Sequence, residues 1–380
     1  MDRTPQDLAD ALAAQFAAAG YGRVEPPVLQ PADVFLDLSG EDIRARMFVT
    51  TDAAGREWAL RPEYTIPVAR AYLASPGAAE PAALSYGGPV FRLRAGESGE
   101  FWQAGIESYG RPDIEAADAE VLALAHEAVL AMGLSQPEIR LGDVGLFTAL
   151  LDGLALPPVR VRQLRRAYAQ GQLAAALAAD MGGPATGAGG EHAGLLRAVQ
   201  GQDPRAARAF VEDVLNIAGI STVGGRSAAE IAERFLARAE ADAEGGVSPE
   251  AVAVLRRFAA IAGDPDAASA QMRALAAEAR LDLSRVLDAF DARTGFIAAR
   301  GVDVTTLAFS AAFGRNLDYY TGVVFEIRDG RRRAGGPGAD VKPVVGGGRY
   351  DGLIQTLGAS HPIPAVGCSI WLDRLAGATL

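Results

Sequence analysis

Apolar residues open the chain at helical spacing, with Leu8, Leu12 and Phe16 at i, i+4 and i+8. Thr4-Pro5-Gln6-Asp7 supplies a hydroxyl cap, a proline suited to the first helical position and an acid in the first turn. Gly20 offers the stop. The pattern then shortens. Residues 23–29 (RVEPPVL) hold two prolines, which lack the N–H a central ladder needs, so they predict an extended edge or interface strand. Residues 47–51 and 57–60 flank Asp52-Ala53-Ala54-Gly55 and predict a hairpin. A second strand pair is expected over 84–93 and 101–109 around a Gly-bearing turn at 95–99. A helix over about 116–132 and a strand at 138–141 follow.

Between about 158 and 300 alanine dominates, the period is helical, and Gly182-Gly183-Pro184 and Gly187-Ala188-Gly189-Gly190 punctuate it. This stretch predicts an all-helical insertion. Strand patterns return at 307–313, 320–327 and 341–345, a helix carries 352–357, and a final strand and helix begin at Ala365. Short turns between neighbouring strands imply an antiparallel sheet with helices to one side, an α+β layout. Arg331-Arg332-Arg333 beside Gly335-Gly336-Pro337-Gly338 is expected to be a solvated hairpin tip.

Composition narrows the classes. The net charge is −11, opposite to the Lys/Arg excess from which a tRNA-binding surface draws affinity. Cys368 is the only cysteine, so no intramolecular disulfide forms and a reducing cytoplasm is the expected setting. The first residues lack the basic flank and apolar run of a signal peptide, and no apolar run reaches the about 18 residues of a membrane span. His126, His192 and His361 stand apart without Cys or paired acids at ligand spacing, so no metal is expected.

Four stretches, in order, resemble histidyl-tRNA synthetase. They are Leu60-Arg61-Pro62-Glu63-Tyr64-Thr65, then Phe91-Arg92 through Phe101-Trp102-Gln103-Ala104-Gly105-Ile106-Glu107, like motif 2 of class II synthetases. Next comes Arg315-Asn316-Leu317-Asp318-Tyr319-Tyr320, similar to the histidine-specific RGLDYY. Last is Gly346-Gly347-Gly348-Arg349-Tyr350-Asp351-Gly352-Leu353 with Leu372-Asp373-Arg374-Leu375, similar to motif 3. Pro27 falls where motif 1 has its proline. The resemblance implies a class II synthetase-like antiparallel sheet flanked by helices. It also implies a histidine pocket of Glu63, Thr65, Gln103, Glu107, Arg315, Tyr319 and Tyr320. Those residue types suit the ligand. Glu63 with Thr65 and Gln103 would meet the ammonium, the planar fork of Arg315 the carboxylate, and Glu107 with Tyr320 the two ring nitrogens. Gln103 and Glu107 lie four apart on one strand and so share a face.

The departures concern ATP and tRNA. Arg92 and Arg374 match the nucleotide-binding arginines of motifs 2 and 3. Arg94, however, replaces the glutamate that helps hold adenine, and the loop 95–100 is short and acidic. Trp371 replaces the glycine that leaves room for the nucleotide. These four positions read as a vestigial nucleotide site. The synthetases continue after motif 3 into an anticodon-binding domain of roughly a hundred residues, whereas this sequence runs to Leu380. No tRNA, membrane or cofactor is expected.

A chain that keeps histidine recognition without ATP or tRNA binding resembles the regulatory-subunit branch that pairs with short-form ATP phosphoribosyltransferase. That resemblance implies a non-catalytic homodimer core in a hetero-oligomer with the catalytic subunit, and L-histidine as feedback effector. Two other readings stay open here. One is a truncated histidine-activating ligase, the other an assembly scaffold whose pocket binds nothing. The helical stretch is a candidate partner-binding arm.

Overall fold

The computed structural model describes residues 4–38, 45–78, 80–180, 213, 222–223, 226–227, 247–315, 319–331 and 342–378. Thr4 and Asp7 cap helix α1 (Pro5–Ala18) reciprocally, and Leu8, Leu12 and Phe16 are buried on the face their spacing selects. Pro26 and Pro27 split the strand expected over 23–29. Pairing occurs only on either side of them, in β1 (Gly22–Arg23) and β2 (Leu29–Pro31), which belong to different sheets. Helix α2 (Ala32–Leu38) follows. The expected hairpin is present as β3 (Val49–Thr51) and β4 (Glu57–Leu60). The Asp52 carboxylate holds its turn by accepting the backbone N–H groups of Ala54 and Arg56.

Helix α3 (Thr65–Leu73) leads to β5 (Ala82–Phe91) and β6 (Glu100–Tyr109), paired antiparallel from end to end. Then come α4 (Ile114–Ala131), β7 (Pro137–Asp143) and α5 (Val144–Gly153). The stretch 158–300 contains α6 (Pro158–Ala169), α7 (Leu173–Asp180), α8 (Pro249–Ala259), α9 (Pro265–Ala279) and α10 (Ser284–Ala299). It is not all helical. It also holds β8 (Thr222–Val223), β9 (Arg226–Ser227) and β10 (Ala262–Gly263), and β10 extends the main sheet by pairing with β11 (Ala308–Ser310). That pairing covers backbone groups of β11 that an edge would leave open. Helix α10 packs along α4.

The chain ends with β12 (Val323–Asp329), β13 (Val345–Arg349), α11 (Asp351–Thr356), β14 (Ala365–Trp371) and α12 (Leu372–Ala378). The strand expected at 341–345 begins only at Val345, so the Gly346-Gly347-Gly348 run is itself the strand. Arg331 pairs with Asp329, while the rest of the proposed arginine tip lies outside the described residues.

Among the described residues the main sheet has nine strands, in the order β1-β5-β6-β14-β13-β12-β7-β11-β10. The six strands from β5 to β7 are antiparallel, as expected, and parallel pairs β1–β5 and β7–β11 flank them. Alternation along β6 separates two cores. Ala104 and Ile106 pack with α1 and α4, whereas Phe101 and Tyr109 face a second cluster rich in tyrosine. Gln103 and Glu107 share the parity of the second set, so the sequence pattern already assigns them to one face.

Candidate functional site

On this second face a cavity of about 650 Å³ opens, within the range of small-molecule sites. Glu63, Thr65, Gln103, Arg315, Tyr319 and Tyr320 line it, drawn from the α3 start, β6 and the segment before β12. Glu107 lies just behind. Its carboxylate crosses Gly367 on the neighbouring strand, where a Cβ would overlap Glu107 Oε2.

Glu63 is buried and accepts the N–H groups of Thr65 (2.6 Å) and Ile66 (2.9 Å), so it both caps α3 and faces the cavity. Burial pushes its carboxyl up, against the pull of those N–H groups and of Arg92. Glu107 is fully buried, and burial drives its carboxyl up to about 8. Hydroxyls of Tyr350, Thr65 and Tyr86 offset part of that rise, and the Tyr350 hydroxyl donates to Oε2. Tyr320 is pushed up to about 12 by burial, so it remains a neutral phenol at physiological pH.

Arg315 enters across Gly346, where a Cβ would collide with the guanidinium. Its Nη1 donates to the Phe325 carbonyl (3.1 Å) and to Glu326 Oε1 (3.2 Å), while Arg328 takes Glu326 Oε2 at 2.9 Å. Among the described residues, buried polar atoms without a partner include Gln103 Oε1, Arg315 Nε and Trp371 Nε1 of cavity-lining residues and Glu107 Oε1 just behind them. An unsatisfied buried group costs about 1–3 kcal/mol, so such a concentration marks a surface built to meet a polar ligand.

The positions read as vestigial divide. Arg92, Trp371 and Arg374 line the cavity, with the Arg374 guanidinium 4.6 Å from the centre of the Trp371 ring. Burial lowers Arg92 to about 10. Arg94 turns away to the acidic loop, bonding Glu97, the Ser98 carbonyl and Asp373, and it lies over Phe101. Among the described residues no group of three or more His, Cys, Asp or Glu is placed to hold a metal ion. No described helix is long and apolar enough to cross a membrane.

Sequence reasoning missed Arg46, Gln170, Glu326, Arg328, Tyr350 and Ser369 around the cavity. Tyr350 stands inside the quoted glycine motif, and Glu326 and Arg328 share one face of β12 by alternation, so both had a readable signal. Arg46 and Gln170 had none, because only tertiary folding brings their segments here.

A family model described as histidyl-tRNA synthetase matches residues 3–209 and 206–375. ATP phosphoribosyltransferase regulatory subunits of Brucella canis and Brucella abortus are each 40% identical over 367 residues, 96% of this chain and 95% of theirs. A Bacillus halodurans structure described as an ATP phosphoribosyltransferase regulatory subunit/histidyl-tRNA synthetase aligns with TM-score 0.66 and 22% identity. It covers 99% of this chain and 79% of its own. Histidyl-tRNA synthetase from Nostoc sp. PCC 7120 aligns with TM-score 0.62 and 18% identity, over 98% and 70%. At those identities the two structures bear on the fold, which is the mixed sheet flanked by helices described above.

Proposed function

The chain belongs to the ATP phosphoribosyltransferase regulatory subunits, on a histidyl-tRNA synthetase-like core, and from that membership we propose that it senses L-histidine in this cavity. Its role in histidine biosynthesis is regulatory. Occupancy of the cavity is relayed to a short-form catalytic subunit, within a hetero-oligomer built on a homodimer of this chain in the cytoplasm. The chain itself needs no cofactor, charges no tRNA and performs no ligation.

One observation supports the reading: among the described residues Gln103 Oε1 and Arg315 Nε, both of residues lining the cavity, are buried without a partner, as is Glu107 Oε1 just behind it, and an amino acid with a polar ring carries groups to match them. Glu63 and Gln103 meet the ammonium, with Thr65 beside them. Arg315 takes the carboxylate and Glu107 with Tyr320 the imidazole, while Tyr319 backs the ring of Tyr320 at 5.0 Å between centroids. Feedback then requires only that histidine favour one quaternary state, for which a coupling of about 1–3 kcal/mol is typical. Trp371 stands in the cavity wall where the resemblance implies a glycine that leaves room for a nucleotide, and Arg94 is committed to Glu97 and Asp373. Arg92 and Arg374 still border the cavity, which is the one feature favouring a ligase.

Calorimetric titration with L-histidine, and separately with ATP, tests both readings. Histidine binding without ATP binding, and no ATP–pyrophosphate exchange, is expected. ATP binding accompanied by exchange would replace the sensor with the ligase.

A further inference from the structure

Helix α6 falls in the stretch that the sequence marks as a candidate partner-binding arm, yet its C-terminal end reaches the cavity. Gln170 and Gly171, directly after the helix, stand in the same wall as Phe313, Gly314 and Arg315. We propose that α6 is part of the sensor, with Tyr168 as the positioning residue that clamps the segment carrying Arg315. This rests on the reading of the cavity as a histidine site.

The clamp has two jaws. On one side Tyr168 is buried and stacked on Phe147 at 4.4 Å between centroids, and its hydroxyl donates to the Phe313 carbonyl at 3.0 Å. The Asp143 carbonyl, at 3.4 Å, is a weaker second acceptor for the same single proton. Gly314 lies so close that a Cβ would sit 2.7 Å from the Tyr168 carbonyl oxygen. On the other side Gly142 of β7 passes against the Phe313 carbonyl, with no space for a side chain. Residues 313–314 therefore have no sideways freedom except with α6, and Arg315 is the next residue. When a carboxylate draws the Arg315 guanidinium, the strain passes to Tyr168 and to the turn at 170–171. From there α7 leads onward, its Leu177 carbonyl accepting from Arg256 of α8 at 3.2 Å. The pocket is thereby mechanically joined to the helical stretch.

Tyr168→Phe removes only the hydroxyl and keeps the ring stack. L-histidine and histamine, the same ring and amine without the carboxylate, are titrated into the full-length wild type and variant. The clamp predicts that the variant binds L-histidine about tenfold more weakly, of the order expected for one buried hydrogen bond, while histamine affinity changes less than about twofold. Equal losses for both ligands would make Tyr168 a purely structural residue, and no loss for either would remove its role; each overturns the clamp. Hydrogen exchange on the wild type decides independently, even if the variant does not fold. L-histidine is expected to slow exchange at the amides of 170–172, and unchanged exchange there overturns the proposal. Absence of L-histidine binding by the wild type would instead bring down the histidine reading itself.

Discussion

Glu107 lies beneath Gly367 with its carboxyl at about 8, so near neutrality it carries a proton that, in the proposed site, an imidazole nitrogen would accept. The complex then needs one proton shared between ring and carboxyl. Below about 6.5, the usual imidazole value, the free partners hold two and one must leave. Above about 8 they hold none and one must enter. Histidine affinity is therefore expected to be greatest between these values and to fall on both sides, and in Glu107→Gln the alkaline fall is expected to shrink to what loss of the ligand's own ammonium proton contributes. Titrations from pH 5.5 to 9 check this, and a flat wild-type profile would contradict it. The unliganded protein obeys the same proton. The folded state keeps it while the unfolded chain releases it above its ordinary 4.5, so Glu107 erodes stability as pH rises from there toward 8. Melting temperatures of Glu107→Gln are expected to decline less over that window than those of the wild type.

At the scale of elements, β13 shows why part of the site was legible and part was not. Its glycines stood out as a motif, but which side chain each makes room for depends on segments brought together from 21 to 31 residues away. Gly346 admits Arg315. Gly346→Ala is expected to abolish histidine binding and to destabilise the protein by about 1–3 kcal/mol, as overpacking does. Retained binding in the titration, with ordinary urea stability, would refute that geometry. The hairpin and α1 were readable because caps, turns and periodicity act over a few residues. Glu326 was missed although it shares a face with Arg328, because its meaning lies in the distant Arg315. The all-helical expectation for 158–300 failed for a related reason: β10 is a strand only because β11 lies beside it. Helix α10 is also tied to the core by a buried ion network, Arg293 donating to Asp118 and Asp143 while Arg349 bridges Asp118 and Asp351. Arg293→Met leaves the buried Asp143 without its ion pair and Asp118 with Arg349 alone, and is expected to cost about 3–5 kcal/mol in denaturant unfolding. A loss under about 1 kcal/mol would show that the network is solvated.

For the molecule as a whole, one sheet serves two faces. Helices α1, α4 and α10 cover one and give the fold its main core. The other carries the tyrosine-rich cluster and a cavity whose polar atoms await partners. That division suits the proposed regulator, in which the cavity takes histidine and Arg94 and Trp371 stand against nucleotide use. A sensor and a scaffold differ in one respect only, whether occupancy of this cavity controls the catalytic subunit. The direct measurement is L-histidine inhibition of the assembled ATP phosphoribosyltransferase, reconstituted with wild-type chain or with Arg315→Met. The sensor predicts that the variant still supports catalytic activity but that inhibition requires at least about tenfold more histidine, the loss of a charge-assisted pair. Inhibition unchanged by the substitution, in a complex assembled normally, would place the sensor elsewhere and contradict the account.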